Sequence, residues 1–290
     1  MDAKTLVDEA QGLFSLPEVC QRLSRMLDDR QSLEAELAEL ISYDPVMSAK
    51  LLGMANGPMC SGPPVDSVSK AITKVGVSRL KELLVSTVAT NAFSRVESEI
   101  VEMHNYWHHS VCCALACESL ARQLKLEAPQ QLFLAGLMHD IGQLVIYQVI
   151  PEQAIEVLRK AGEQESYRYR MEQDIIGLTH AEVGQELLRR WQLPLMIQKV
   201  VEFHHEPQLA GPYVKQASIA HIATAVANCV EPSWKMVGED EEHDAERQIN
   251  PFAWRATGFS PDIIDETVSE ISVASLNVLA VVDPDSAMIF

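Results

Sequence analysis

The stretch Leu137-Met138-His139-Asp140-Ile141-Gly142 constrains the chain most, because it sets an imidazole and a carboxylate side by side among apolar residues. Leu132, Ala135, Gly136 and His139 fall at helical spacing behind Pro129, a residue suited to a first turn. The spacing predicts a buried helix that the pair closes, with Gly142 letting the chain turn away. A His-Asp pair in that setting is either a hydrogen-bonded core pair or two ligands for a divalent metal.

Other histidines sit where a metal could use them. His109 lies in Trp107-His108-His109-Ser110, at the start of a long helical run. Thr179 with Glu182 three residues later makes a capping-box pattern, which predicts His180 in the first turn of a helix. His204 continues the apolar series Ile197, Val200, Val201 at helical offsets and so points inward, with His205 one step around.

Helical periodicity runs through the rest of the chain. Val19, Leu23, Met26 and Leu27 predict one amphipathic helix, and Leu33, Leu37, Leu40 and Ile41 a second. Asp44 caps a third that starts at Pro45 and ends at Asn56-Gly57. Val68, Ala71, Ile72 and Val75 make a short helix that Gly76 terminates, and Ser78 caps another carrying Leu80, Leu83, Leu84 and Val88. No alternating strand pattern appears there. The polar segment Asn91 to Glu102 reads as a seam. Beyond it come a long helix around Trp107 to Leu124, the His-Asp helix, an apolar helix Leu144 to Ile150, and a polar stretch through Glu163 to Arg170. The His180 and His204 helices follow, then an inward face of Ala217, Ala220, Thr224 and Ala227. Ser260 and Pro261 begin a last helix with Ile264, Val268 and Ile271, which stops before Asp283-Pro284.

The order His, His-Asp, His, His-His resembles the HD superfamily of metal-dependent phosphohydrolases. Ile41-Ser42-Tyr43-Asp44-Pro45, Leu51-Leu52-Gly53-Met54-Ala55-Asn56 and Ala71-Ile72-Thr73-Lys74-Val75-Gly76 look like hallmarks of its HD-related output branch, HDOD, over about Leu16 to Pro232. The resemblance implies an all-α fold, a multi-helix HD-domain-like bundle with an N-terminal helical half packed on it. Residues 14–232 would be the HDOD domain, divided into 14–95 and a histidine-bearing 96–232. Residues 233–290 would form an acidic loop and a C-terminal helix packed on the body.

The same resemblance implies ligand sets. His109, His139 and Asp140 would hold one metal with a later Asp, and Asp140, His180, His204 and His205 a second. The later Asp is missing: the family would place it near Thr224, and a hydroxyl is a far weaker ligand than a carboxylate. Gln143 stands where active cyclic-dinucleotide hydrolases of the superfamily usually carry a lysine, and Pro207-Gln208 replaces the Gly-Tyr-Pro segment of the cyclic-di-GMP phosphodiesterases. The expectation is one divalent ion, zinc, iron or manganese, and no cyclic-di-GMP hydrolysis. The implied function is a non-catalytic module of bacterial signal transduction that binds a signalling protein or small ligand. The alternative is a metal-dependent phosphohydrolase acting on a nucleotide or other phosphate ester, with Asp140 as its catalytic residue.

Charge narrows the partners. The net charge is −18, whereas nucleic acid and anionic membranes bind through an excess of Lys and Arg, so neither is expected. The excess is concentrated late: from Val237 to Phe290, twelve Asp and Glu against Arg247 and Arg255 leave −10, and Gly238-Glu239-Asp240-Glu241-Glu242 reads as a solvated loop. An N-terminus without a basic-then-apolar layout and six cysteines without paired spacing fit a cytoplasmic expectation. Cys113 and Cys117 read as small buried side chains.

Overall fold

A computed structural model describes residues 2–10, 41, 45–56, 60, 62–76, 80, 100–101, 103–127, 129–161, 165–230 and 249–282. The fold is all-α, with no strand among these residues. Two compact units divide the chain, one of Met1–Gly12 with Val96–Ser275 and one of Leu13–Arg95 with Leu276–Phe290. The helices anticipated over residues 19–40, the Asp44 and Ser78 caps, most of the Asn91 to Glu102 seam and the acidic loop at 238–242 lie outside the described residues.

The described helices of the smaller unit include α2 (Pro45–Asn56) and α3 (Val68–Val75). Gly76 closes α3 at φ 86°, a left-handed region that favours glycine, and Ser67 accepts from the Lys70 N–H at its start. Ala71, Ile72 and Val75 turn inward onto Ile41, Leu51, Ala55 and Leu80. Asn56 ties the end of α2 to the following loop, its amide donating to the Val65 carbonyl and its oxygen accepting from the Val65 N–H at 2.8 and 2.7 Å.

The larger unit opens with α1 (Ala3–Glu9), which packs on α6 (Ile141–Val149) and α9 (His180–Arg190). Arg190 fixes it there, 2.6 Å from Asp8 and donating to the Lys4 carbonyl at 3.0 Å. The body consists of α4 (Met103–Gln123), α5 (Pro129–Met138), α7 (Pro151–Ala161), α8 (Glu165–Ile175), α10 (Leu195–Phe203), α11 (Val214–Cys229), α12 (Pro251–Thr257) and, as far as Ser275, α13 (Ile263–Val282), with α6 and α9. Helices α5 and α11 lie on α4, and α10 packs on both α5 and α9. Leu120, Leu132 and Leu137 are fully buried between them, and each such leucine contributes about 2 kcal/mol by leaving water. The apolar stretch Gln131–Val149 is likewise buried within the unit, not laid along an outer face.

Two glycines set the joint between α5 and α6. A Cβ on Gly136 would lie 2.9 Å from the Ala114 Cα and the Cys113 carbonyl oxygen of α4. A Cβ on Gly142 would lie 2.0 Å from the His180 carbonyl oxygen and 2.6 Å from the Gly184 nitrogen of α9. Gly142 is therefore a close-packing residue inside α6, not the turn that the spacing predicts: glycine is needed because two backbones approach there.

Candidate metal centre

The His-Asp pair occupies the gap between α5 and α6, held between those two glycine contacts. His139 is fully buried, and its Nδ1 lies 2.7 Å from the Gly136 carbonyl. A carbonyl only accepts, so Nδ1 carries the proton and Nε2 is left as the lone-pair nitrogen, 3.5 Å from Asp140 Oδ2. Asp140 stands at the N-cap position of α6 without capping it; its carboxylate turns to the histidines instead.

His180 enters from the capped start of α9, where the Thr179–Glu182 box is formed in both directions. Its Nδ1 donates to Glu172 Oε2 at 2.6 Å, and the same oxygen accepts the His180 backbone N–H at 2.8 Å. This carboxylate fixes the ring so that Nε2 faces Asp140 Oδ1 at 3.1 Å. His204, fully buried at the end of α10, donates from Nδ1 to the Val201 carbonyl at 2.8 Å, which turns its Nε2 to within 3.7 Å of the same Oδ1. His205, partly exposed, brings its Nε2 to 3.1 Å from that of His180. Asp140 Oδ1 and His204 Nε2 are buried with no hydrogen bond to a described residue, the distances above notwithstanding.

These positions make two groups that share Asp140. Asp140, His180, His204 and His205 each offer one ligand atom within 4.8 Å of the others, and so do His109, His139 and Asp140. Ligands on opposite sides of an ion at ordinary bond lengths lie about 4.2 Å apart, so both groups are close to the size a divalent ion requires. Among the described residues this second group, His109, His139 and Asp140, offers three ligands. Thr224 hydrogen-bonds through its hydroxyl to the Ala220 carbonyl of its own helix at 3.0 Å and lies beside Cys113 Sγ.

The electrostatics favour a cation in the first group. Burial works to raise the Asp140 pKa, but the imidazoles of His139, His180 and His204 outweigh it and hold the carboxyl well below the usual range. Burial works to lower that of His180, yet Glu172 and Asp140 push it up to about 10. Metal-free, the cluster thus keeps a proton where its lone pairs converge. Burial and the neighbouring rings depress His204 and His205, and burial with His139 lowers His109 to about 3.

All six sequence-predicted ligands meet in this one place. Sequence reasoning missed their supports. Glu172, Arg168 and Tyr169 come from α8, the last two within what reads as a polar stretch and Glu172 just beyond it. Tyr169 packs on His205 with ring centres 4.4 Å apart and planes tilted by 36°, and donates to Glu206. Gln143 donates to Asp140 Oδ2 at 2.8 Å and accepts from the Tyr147 hydroxyl and from Arg168. His221 donates from Nδ1 to the His204 carbonyl at 2.7 Å and accepts the Asn250 N–H at 2.9 Å, pinning the backbone that carries His204 and His205.

Comparison with known proteins adds a family. The model of the HDOD domain matches residues 13–207. Among solved structures, an HDOD domain protein of unknown function from Geobacter sulfurreducens is 25% identical, with a TM-score of 0.69 and 97% of each chain covered. A provisionally named phosphohydrolase from Shewanella amazonensis is 23% identical with a TM-score of 0.74, covering 96% of this chain and 97% of that one. A provisionally named signal transduction protein from Marinobacter aquaeolei is 19% identical with a TM-score of 0.73, covering 97% of this chain and 61% of that one. At these identities the last two show the fold. An uncharacterized protein of Treponema pallidum is 23% identical over 225 residues; they are 76% of this chain and 44% of that protein, so the chain spans less than half the length of the curated relative it matches.

Proposed function

The chain belongs to the HDOD family, and from that membership and the site geometry we propose a bacterial regulatory module that holds one divalent ion through Asp140, His180, His204 and His205 and acts by binding a signalling protein or small ligand, without turnover. The observation that carries this reading is the orientation of the buried rings: the Nδ1 atoms of His180 and His204 are tied to Glu172 and the Val201 carbonyl, so their Nε2 lone pairs converge on Asp140 Oδ1. Three imidazoles and a carboxylate suit zinc, iron or manganese.

The absence of turnover rests on the second group. Two-metal hydrolysis would need both groups complete, the ions supplying an activated water and charge for the phosphoryl oxygens. Among the described residues that group has three ligands, His109, His139 and Asp140, and the Thr224 hydroxyl is turned to Ala220. The test is to load the full chain with manganese or iron and offer it nucleotides, cyclic di-GMP and simple phosphate esters. Product no greater than that of Asp140→Ala is expected; product above that control would replace this reading.

A second reading, the phosphohydrolase, is favoured by one observation. His109 and His139 lie within ligand range of the same carboxylate although one group could bind an ion without them. It predicts two ions and phosphate-ester hydrolysis, and the same assay separates the two.

A further inference from the structure

Two of the four deep ligands are consecutive in sequence, an arrangement that a regular helix disfavours because successive side chains point about 100° apart. The His204 and His205 rings nevertheless lie 4.1 Å apart between centres, and both belong to the group around Asp140. Helix α10 ends at Phe203, so the pair sits just past the regular turns, with His204 as the C-cap residue. A helix end leaves carbonyls without intrahelical donors. Here two such carbonyls are taken by imidazoles: the His204 ring donates to the Val201 carbonyl at 2.8 Å, and the His221 ring of α11 donates to the His204 carbonyl at 2.7 Å. The second bond grips the planar peptide that joins the two ligands.

The other side of the His221 ring is held as well. Its Nε2 accepts the Asn250 main-chain N–H at 2.9 Å, so donor and acceptor are assigned by chemistry: a carbonyl only accepts and an N–H only donates. Asn250 is the N-cap of α12, accepting the Phe252 N–H at 2.9 Å, and its amide donates at 3.2 Å to Gln208, in the short 3-10 turn Pro207–Leu209 that follows the histidines. Helix α12 packs on α11 and on that turn. We propose that His221 is the positioning residue that couples the metal centre to α12: one imidazole, bonded to the peptide between two ligands and to the N-cap of α12, makes the convergence of His204 and His205 depend on how α12 is seated. A bound ion steadies α12 by the same tie. This rests on the one-ion reading above.

The experiment loads the 290-residue chain, freed of endogenous metal, with cobalt(II). Equilibrium dialysis gives the ions bound, the visible d–d absorption reports the number and geometry of their ligands, and far-ultraviolet circular dichroism reports helicity. His221→Leu removes both bonds; His221→Gln keeps a donor and an acceptor on a side chain of similar reach. Wild type should take one cobalt. His221→Leu should bind it about tenfold more weakly and with an altered spectrum, and His221→Gln should recover most of both. By reciprocity the same factor acts on the tie, so in wild type amide exchange in peptides spanning Asn250 should slow about tenfold once cobalt is bound. That measurement needs no variant and decides alone if His221→Leu loses its helicity. A His221→Leu chain with wild-type helicity, affinity and spectrum overturns the inference, as does exchange at Asn250 that cobalt leaves unchanged, and in both cases the one-ion reading stands. A loss that His221→Gln does not recover at all also overturns it, since the volume of the ring rather than its two bonds would then be what the ligands need. A wild-type chain that takes no cobalt overturns the one-ion reading and the inference with it.

Discussion

The two ligand groups share Asp140 and differ in everything around it. In the deep group, His180 and His204 are fully buried and anchored at Nδ1, His180 by a carboxylate and His204 by a main-chain carbonyl. In the open group, only His139 is anchored in that way among the bonds described, His109 is partly exposed, and the carboxylate oxygen on that side already accepts from Gln143. The lesson is that support and ligand count go together: what readies a histidine as a ligand is where its other nitrogen goes, and the group with the anchored rings is also the one with four ligand atoms.

The glycines give the strongest way to break the comparison. Gly142→Ala would drive a methyl into the His180 carbonyl and push α9 from α6, so the deep group should come apart with a loss of about 3 kcal/mol or more in denaturant unfolding. Gly136→Ala acts on the other side, separating α5 from the helix that carries His109, and should cost less because its nearest contacts are at 2.9 Å. Equal effects would show that the joint, rather than the groups, is the sensitive unit.

Asp140→Ala removes the shared ligand and should weaken metal binding more than about 100-fold, a larger loss than that from any supporting residue. Glu172→Gln leaves every ligand in place and removes the charge behind His180. Metal affinity measured by calorimetry should fall about 10- to 100-fold, with the fold retained. No change on Glu172→Gln would mean that the deep ring needs no carboxylate behind it, and the asymmetry between the groups would lose its cause.

Acidity separates the groups in metal-free protein. His109 is lowered to about 3 from an ordinary 6.5, so the stability it contributes is present above pH 6.5 and is lost as pH falls toward 3; His204 and His205 act in the same direction. His180 is raised to about 10, so its contribution is complete below 6.5 and is lost as pH rises through 10. With chelator present, stability should peak near pH 6.5 and fall more steeply on the acid side, each proton adding about 1.4 kcal/mol per pH unit to the slope. His109→Asn should flatten the acid limb and leave the alkaline limb intact, which unfolding across a pH series would reveal. The smallest effect concerns Thr224. Its hydroxyl serves its own helix, so Thr224→Val should cost about 1 kcal/mol or less and leave the metal count unchanged.

Much of this was legible in the sequence because it is local. The Thr179–Glu182 box placed His180 in a first turn, the spacing of Ile197, Val200 and Val201 turned His204 inward, and Gly76 ended α3. Helix α8 was not legible. Its site-facing residues are Arg168, Tyr169 and Glu172, so the inward stripe is polar and carries no apolar period. His221 was missed because its partners are main-chain groups 17 and 29 residues away, and Gly142 was misread because periodicity says nothing about how near another backbone lies. Short helices such as α1 and α12 gave too few turns to show a pattern.

The most direct measurement is metal-edge X-ray absorption, with elemental analysis, on the 290-residue chain purified without chelator. The account predicts one ion per chain surrounded by three imidazoles and one carboxylate, and the imidazole scattering should diminish in His180→Ala and His204→Ala. Two ions sharing a carboxylate, or a chain free of metal whose His180→Ala variant binds manganese as well as wild type does, would contradict it.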